Sequence, residues 1–367
     1  MTSSAPATAG KGLMRFSEAL MPELLAFQRA AYPTRRDDWV ESRWRWMFEG
    51  SARRLGLPPY VWLYRRDERI VAHQGAIAVR FKRGDEIVTT GWFVETMALE
   101  SVRGKAIGPM LVAKALEELP FNLSLGQEPH MRELQFKLGW HLVAPLPTYA
   151  FVLRPSRVLA RRVPVPGLRH LAGLGVGAVQ RARWYRGRRR DSAGLRSAAI
   201  ERFGEEADRL WARVSREIGC AVVRDASYLN WKYVEQPGQD YRCLGVWEGA
   251  ELRGCAVFTI LEPDEHYHHG RAMLTDLVVP PSEPSVVWRL LDEVRRASAA
   301  GGADLLVCDL LCHALQPQLL RFGFLEREAR RFLLVSPGPE ADAAGRLALE
   351  PAQWLLTRGD SDIDRPW

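Results

Sequence analysis

The first half of the chain alternates apolar and polar segments in an order that predicts helices, a β-hairpin and further strands. An amphipathic segment over residues 15–31 and a Trp-rich segment after it predict two helices. Two apolar runs, PYVWLY and IVAHQGAIAVRF, flank the polar corner RRDER and predict a hairpin. A third long strand follows, then a helix from about Lys105 to Leu119, a short strand, a helix through Leu138 and a last pair of strands over residues 142–153.

The second half repeats this order of segments. It has a predicted helix over residues 204–218, a hairpin, a strand, a helix over 284–299, a strand, a helix over 314–321 and a final strand. Anchor residues keep a nearly constant offset: Trp46 and Trp231 are 185 residues apart, Gly139 and Gly323 are 184 apart, and Val94 and Leu274 are 180 apart. The repetition predicts two tandem α/β domains, each with a central, mostly antiparallel mixed sheet flanked by helices.

The predicted domains divide the chain into five parts. These are a disordered lead (residues 1–12), a first domain (13–153), an Arg-rich linker (154–196), a second domain (197–336) and a C-terminal tail (337–367). In the tail, residues 354–356 are apolar and are expected to return and cover an edge of a sheet.

Composition and charge exclude some classes of protein and locate the basic character. With 47% hydrophobic and 26% charged residues among 367, the chain is neither mainly disordered nor fibrous. The net charge is +7, but Arg154–Arg190 contains 11 Arg and no acidic residue, so the rest of the chain carries −4. This segment is therefore the expected contact for a polyanion such as tRNA, an anionic lipid or a glycan. An exposed linker that packs across both domains is the alternative.

Cysteine content and hydropathy bear on the compartment. Five cysteines are too few and too odd in number for a disulfide framework, so a reduced, cytoplasmic environment is expected. The apolar stretch over residues 171–179 is about half the length that a membrane span needs, and no transmembrane helix is expected.

A candidate phosphate site follows the third strand of the first half. The strand is predicted to end at Leu99 and a helix to begin near Ile107, with the turn RGKAIG at residues 103–108. Backbone N–H groups at a helix N-terminus are unpaired and attract phosphate, and small residues let the phosphate approach the backbone. Arg103 and Lys105 add positive charge. Ala106 fits this turn without strain if its φ is negative.

This turn resembles the pyrophosphate loop of the GNAT superfamily of acyl-CoA-dependent N-acyltransferases. The superfamily pattern is Arg/Gln-x-x-Gly-x-Gly/Ala, and the sequence reads Arg103-Gly-Lys-Ala106-Ile-Gly108. The order of elements and the helix end Lys137-Leu-Gly139-Trp140 are also similar to that superfamily. The resemblance covers residues 13–153 and, more loosely, 197–336, which implies two tandem GNAT-like domains and an N-acyltransferase.

The resemblance implies a set of site residues and substrates. The pyrophosphate would be held by the loop, and the pantetheine arm by the backbone at the end of the strand. Acetyl-CoA or another acyl-CoA would be the co-substrate, without a metal ion, and a small-molecule or glycan amine the acceptor. The implied binding residues are Met97, Ala98, Leu99, Arg103, Gly104, Lys105, Ala106, Ile107 and Gly108.

Two residues are candidates for proton transfer. Glu95 lies on the strand four residues before Leu99 and is the candidate general base, with an ion-paired strand residue as the alternative. Many GNAT proteins have a Tyr acid four residues before the terminal Gly, but here that position is Gln135. Tyr149, on the last strand of the first half, is therefore the candidate acid, with a packed core aromatic as the alternative.

The second half departs from the superfamily pattern. Its strand is followed by PPSEPSVVWRLL, in which Pro281 and Pro284 remove two backbone donors, so no CoA is expected there. Asp276 is predicted to line the corresponding cleft, or to act as a helix N-cap or form a salt bridge. Two other functions stay open at this point: a Fem-type aminoacyl transferase that uses aminoacyl-tRNA, and a non-catalytic CoA-sensing or partner-binding protein.

Overall fold

The computed structural model describes residues 12–158, 175, 177–180, 182–185, 194–265, 267–338 and 342–364. The strands are β1 (Gly12–Arg15), β2 (Tyr60–Arg66), β3 (Arg69–Arg83), β4 (Glu86–Ala98), β5 (Phe121–Leu125), β6 (His141–Val152), β7 (Leu195–Ala199), β8 (Cys220–Val222), β9 (Arg242–Glu248), β10 (Glu251–Leu261), β11 (Arg271–Val278), β12 (Leu305–Leu311), β13 (Leu325–Pro337) and β14 (Leu356–Thr357).

The helices lie on both faces of the sheet that these strands form. They are α1 (Met21–Ala31), α2 (Asp37–Trp44), α3 (Ser51–Arg53), α4 (Ile107–Glu118), α5 (Pro129–Lys137), α6 (Pro155–Val158), α7 (Glu205–Val214), α8 (Ala226–Leu229), α9 (Pro284–Ala300), α10 (Gln316–Phe322) and α11 (Ala343–Leu347). Two π-helical turns, Arg45–Gly50 and Asn230–Val234, follow α2 and α8. The helices α4 and α9 confirm the helices predicted over residues 105–119 and 284–299.

One mixed sheet runs through both halves of the chain. Its strand order is β1-β2-β3-β4-β5-β13-β6-β12-β11-β10-β9-β7, with β8 paired to β3 and β14 to β12. Only β4–β5 and β11–β12 are parallel among the described pairs, and the other pairs are antiparallel. The predicted fold class, a mostly antiparallel mixed sheet flanked by helices, is confirmed. The division into two domains stays a prediction.

The last strand of each half pairs with the other half. Strand β13 pairs with β5 (Leu333 opposite Leu125), and β6 pairs with β12 (Tyr149 opposite Cys308). The predicted pair of strands over residues 142–153 is wrong, because this segment is the single strand β6. Its Pro147 does not break the strand, since β13 has a register shift between Arg327 and Arg331 at this point.

Two tryptophans with the offset noted above face each other between the halves. The rings of Trp46 and Trp231 stack with centroids 4.8 Å apart. The Nε1 of Trp46 donates to the main-chain oxygen of Trp231 at 2.7 Å, and the Nε1 of Trp231 donates to that of Trp46 at 3.0 Å. Both indoles therefore bury their polar atoms with a partner, which fixes the two π-helical turns against each other.

The C-terminal tail packs across both halves. Trp354 is buried against Phe81 of β3, and the Leu355 N–H donates to the carbonyl of Cys220 at 2.9 Å. Strand β14 then pairs with Leu310 and Leu311 of β12, beyond the point where β11 leaves that strand. The prediction that this segment covers an open part of a sheet is confirmed.

The Arg-rich linker lies mostly outside the described residues, and so does the predicted polyanion contact through Arg154–Arg190. In its described part, the Nε1 of Trp184 donates to Asp292 of α9 at 3.2 Å, and its ring packs 5.7 Å from that of Trp288. The five cysteines are buried free thiols. Among the described residues, no helix has the length and hydropathy that a membrane span requires.

Candidate active site

A bulge interrupts strand β4 at Glu95. In the pairing of β3 with β4, His73 lies opposite Met97 but Gly75 lies opposite Val94, so one extra residue is accommodated in β4. Glu95 takes a left-handed backbone conformation with φ of 53°. The Nδ1 of His73 lies 2.9 Å from the Glu95 carbonyl oxygen and must donate, because a carbonyl only accepts. Burial lowers the pKa of His73, which keeps the ring neutral in this role.

The side chain of Glu95 is held inside the protein by two arginines. Its Oε1 lies 2.6 Å from Arg43 Nη1 and 2.9 Å from Arg35 Nη2, and the side chain is 2% exposed. Gln28 donates to Oε2 at 3.2 Å. Burial raises the pKa of Glu95, but the guanidinium groups of Arg43 and Arg35 outweigh it and bring the pKa down to about 2. Glu95 thus has the geometry of an ion-paired strand residue, which was the alternative to the general base.

The bulge lies beside a cleft between two parallel strands. Strands β4 and β5 pair at Trp92 and Leu123 and then diverge, which leaves a gap that we call the first cleft. Residues 95–99 are partly exposed, while residues 91–94 before the bulge are buried. An extended ligand can therefore lie against the backbone of Met97, Ala98 and Leu99.

The turn after β4 presents backbone N–H groups to solvent. Ala106 is the N-cap of α4 with φ of 57°, and Gly104 has φ of 77°. Ala106 thus does not meet the condition of a negative φ under which alanine would be unstrained, because the residue before the helix is left-handed. In the part of the chain that the structure describes, no acceptor pairs with the N–H groups of residues 104 and 106–108.

The surroundings of this loop fit a pyrophosphate. A Cβ placed on Gly104 or Gly108 meets no atom of the described residues within 4 Å, so these residues leave the space above both glycines open. Arg103 donates to the Ala98 carbonyl at 3.3 Å and Lys105 to the Ser101 carbonyl at 3.0 Å, so both cations stay on the loop. Neither has an acidic partner among the described residues. The loop thus combines unpaired donors, positive charge and room for an anion.

The tail closes the far side of the first cleft. A Cβ built on Gly126, immediately after β5, would lie 2.8 Å from Ile363 Cγ2. Asp362 is close enough to Glu95 and Arg43 for their charges to act on it, and its own charge acts on Tyr32 at the end of α1. The cleft is thus bordered by β4, β5, the end of α1 and the tail.

Tyr149 lies away from the bulge. It is 2% exposed on β6, opposite Glu326 of β13, and two strands, β13 and β5, separate β6 from β4. Burial raises its pKa. Gln135 is also buried and donates to Ser124 at 3.0 Å. The structure brings Glu95, residues 97–99 and the loop 103–108 together at one end of β4 but does not bring Tyr149 to them.

The corresponding cleft of the second half is filled by the tail. A register shift in β11 lies between Leu274 and Asp276, and β11 and β12 diverge after Leu274 and Cys308. Asp276 is buried in a salt bridge with Arg224 at 3.1 Å and accepts from Tyr233 at 2.8 Å. Thr357 and Asp360 of the tail join this network, so of the predictions for Asp276 the salt bridge is confirmed.

Comparison with solved structures identifies this architecture. A GCN5-related N-acetyltransferase from Anabaena variabilis superposes with a TM-score of 0.60 at 10% identity, over 88% of this chain and 71% of the other. The Kribbella flavida GCN5-related N-acetyltransferase gives 0.56 at 13%, over 88% and 70%. Saccharomyces cerevisiae N-myristoyltransferase with bound myristoyl-CoA gives 0.55 at 11%, over 91% and 84%.

The chain has the GNAT fold. No protein-family model and no curated protein matches the amino-acid sequence. At these identities the likeness is one of fold, and the resemblance inferred from RGKAIG is confirmed at that level.

Some residues of the first cleft carry no local signal in the sequence. Arg35 and Arg43 lie in α2 and the turn before it, among many other arginines, and Tyr32 follows an ordinary amphipathic helix. Asp362 lies in a tail with four Asp residues, and this polar sequence predicts a loop. Only the tertiary structure places these side chains beside Glu95.

Proposed function

We propose that the protein is an acyl-CoA-dependent N-acyltransferase that binds its acyl donor at the first cleft. The main support for this proposal is the loop 103–108, in which unpaired N–H groups, two cations and open space occur together at the end of β4. The GNAT fold supports the proposal, since the solved neighbours include two N-acetyltransferases and an N-myristoyltransferase with its acyl-CoA bound.

The bulge in β4 would position the reacting end of the donor. It interrupts the β3–β4 ladder at Glu95, and the partly exposed residues 97–99 that follow would accept the pantetheine arm as an added strand. A backbone N–H released by a bulge can polarise the thioester carbonyl as a fixed dipole does in other acyl transfers. The buried ion pairs of Glu95 keep this bulge in place.

We propose a positioning role for Glu95 in place of the general base. A base must take a proton from an ammonium ion, and a carboxylate with a pKa of about 2 and two arginine partners holds a proton weakly. The same two ion pairs and the hydrogen bond from His73 fix both the side chain and the carbonyl of this residue. Glu95 therefore determines the shape of the donor site.

The acceptor would be an amine, and the donor acetyl-CoA or a longer acyl-CoA. The second cleft is closed by the tail and its helix α9 begins with Pro284, so one donor per chain is expected. The small-molecule or glycan nature of the acceptor stays a prediction.

Thiol release from acetyl-CoA tests this function. The purified protein is incubated with acetyl-CoA and one amine in each reaction: glucosamine, putrescine or glycinamide. The free thiol of CoA and the acylated amine formed in the same reaction are then both measured. The double variant Arg103→Glu with Gly108→Glu places two negative charges in the loop and should lower kcat/KM at least tenfold. Arg216→Glu, an exposed arginine of the second half, is the matched control and should leave it unchanged. Equal activity of the double variant and the control would overturn the loop assignment.

A further inference from the structure

Acyl transfer to an amine requires a base, such as a carboxylate that is not already paired with a cation of the protein. An amine is mostly protonated near pH 7 and must lose a proton before its nitrogen can attack. A carboxylate that already forms ion pairs binds a further cation only weakly. Its pKa is also lowered, so it takes up a proton less readily. Given the proposed function, one such carboxylate should border the first cleft.

Most buried carboxylates near the two clefts already have partners. Glu95 pairs with two arginines, and Asp364 lies 3.2 Å from Lys232 and accepts from Tyr241 at 2.6 Å. The remaining ones are bound by arginines: Asp276 and Asp360 by Arg224, and Asp309 by Arg331 and Arg358. These groups are structural.

Asp362 differs from all of these. Its side chain is partly exposed, and its one hydrogen bond among the described residues comes from the Ser361 hydroxyl at 3.3 Å. Within the described part of the chain, no cation lies at ion-pair distance from it. It is therefore a carboxylate that can still receive a cation.

The residues on either side of Asp362 are anchored. Lys232 donates to the Ser361 carbonyl at 2.7 Å, and Asp360 is bound to Arg224 at 2.6 Å. After Asp362, Ile363 packs against Gly126 and Asp364 is buried. The backbone is thus fixed, and the Asp362 carboxylate stands at the border between β4 and the tail.

The charged groups around Asp362 come from four elements. Tyr32 lies at the end of α1, Arg43 in α2, Glu95 in β4 and Lys232 in the second π-helical turn, and Asp364 follows in the tail. Burial raises the pKa of Asp362, Arg43 opposes this, and Glu95 adds to it. The net rise favours proton uptake by this carboxyl group over Glu95.

We propose that Asp362 is the catalytic residue that binds the acceptor ammonium group and takes its proton. One N–H proton passes to the Asp362 carboxylate, and the neutral nitrogen forms a bond to the acyl carbon of the thioester. The C–S bond then breaks, its electron pair leaves with the CoA sulfur, and the thiolate takes up the second proton that the nitrogen loses. The products are an amide, free CoA and a protonated Asp362, which returns its proton to solvent.

Kinetics of Asp362→Asn test the role. With the same three amines, kcat/KM should fall about 100-fold or more, and the rise of kcat/KM with pH on the acidic side should disappear. Affinity for CoA, measured by calorimetry, should equal that of the wild type, because Asp362 lies outside the loop. Asp85→Asn, at the exposed β3–β4 turn, is the matched control and should change neither quantity.

Carbodiimide labelling provides a test that needs no acceptor. At mildly acidic pH, with glycinamide as the nucleophile, Asp362 should be modified together with the exposed Asp85, while Glu95 and Asp364 stay unmodified, as peptide mass spectrometry would show. An unmodified Asp362 overturns the proposal whether or not an acceptor is found.

The two proposals can fail separately. Normal CoA binding with full turnover by Asp362→Asn overturns the role of Asp362 alone. A wild-type protein that binds no CoA overturns the proposed function itself.

Discussion

At the scale of single residues, Glu95 forms two buried ion pairs beside the first cleft. Both of its arginine partners lie within 2.9 Å, and its side chain is 2% exposed. Removing one member of a buried ion pair leaves the other charge unpaired and costs about 3–5 kcal/mol. Glu95→Gln should lower the free energy of unfolding by about 3 kcal/mol in urea titrations. Glu118→Gln, which removes an exposed ion pair with Arg15, should cost at most about 1 kcal/mol.

The same residue predicts a pH dependence of stability. The pKa of Glu95 is about 2 in the folded protein and 4.5 when unperturbed, so the unfolded chain binds this proton more readily. Its contribution is therefore complete above pH 4.5 and is lost as the pH falls toward 2, by about 3 kcal/mol. Unfolding measured between pH 6 and pH 2 should show this loss in the wild type and not in Glu95→Gln. Parallel curves for the two proteins would contradict the ion pairing.

The sequence predicts the position of the loop between β4 and α4, but not the side chains that surround Glu95. RGKAIG is a local pattern in which a strand, a small-residue turn and a helix start follow one another, and local geometry determines its N–H groups. The positive φ of Ala106 is not predictable in this way, because a strained φ cannot be inferred from residue type. Asp362 lies 267 residues after Glu95 and Tyr32 lies 63 residues before it, so both reach the cleft through long-range contacts that no spacing rule describes.

At the scale of elements, the tail depends on a close approach at Gly359. A Cβ at this residue would overlap the Tyr233 hydroxyl and lie 3.1 Å from the Thr275 carbonyl oxygen. Gly359→Ala should therefore displace the turn after β14 from the second cleft and lower the free energy of unfolding by about 1–3 kcal/mol. Limited proteolysis should cut the tail of this variant faster than that of the wild type. Gly175→Ala is the matched control, because a Cβ there meets no atom within 4 Å in the described part of the chain, and equal cleavage of both variants would contradict tight docking of the tail.

Elements with a strong local sequence pattern were predictable. Elements whose bounds depend on pairing with distant segments were not. The helices α4 and α9 match their predicted ranges closely, since apolar positions recur every three or four residues in both. The single strand β6 was predicted as two, because the shift in β13 that accommodates Pro147 lies about 180 residues away. The π-helical turns follow from the stacking of Trp46 on Trp231 and have no signature of their own.

At the scale of the whole molecule, exchange of the last strands makes the two halves depend on each other. Strand β5 needs β13 from the second half, and β12 needs β6 from the first. A fragment of residues 12–158 exposes the edge of β5 and should aggregate when expressed alone. Co-expression with residues 194–364 should give a soluble complex that elutes as one species. Separate, monomeric and soluble halves would contradict the strand exchange as an obligatory feature.

The repeated order of segments predicted the general architecture but not this exchange. Constant offsets between anchor residues indicate that two similar units follow one another in the chain. They do not indicate which unit each last strand joins, because both arrangements bury the same apolar faces and differ only in long-range pairing. The segment Arg154–Arg190 holds the net excess of positive charge, since the rest of the chain carries −4, and its predicted contact with a polyanion stays a prediction.

Calorimetric titration with acetyl-CoA, repeated with free CoA, tests the central claim most directly. We expect saturable binding of one molecule per chain, with affinity lowered at least tenfold in the Arg103→Glu, Gly108→Glu double variant and unchanged in Arg216→Glu. This result would place the acyl donor at the loop that ends β4. Absence of binding, or equal binding by the wild type and the double variant, would contradict it.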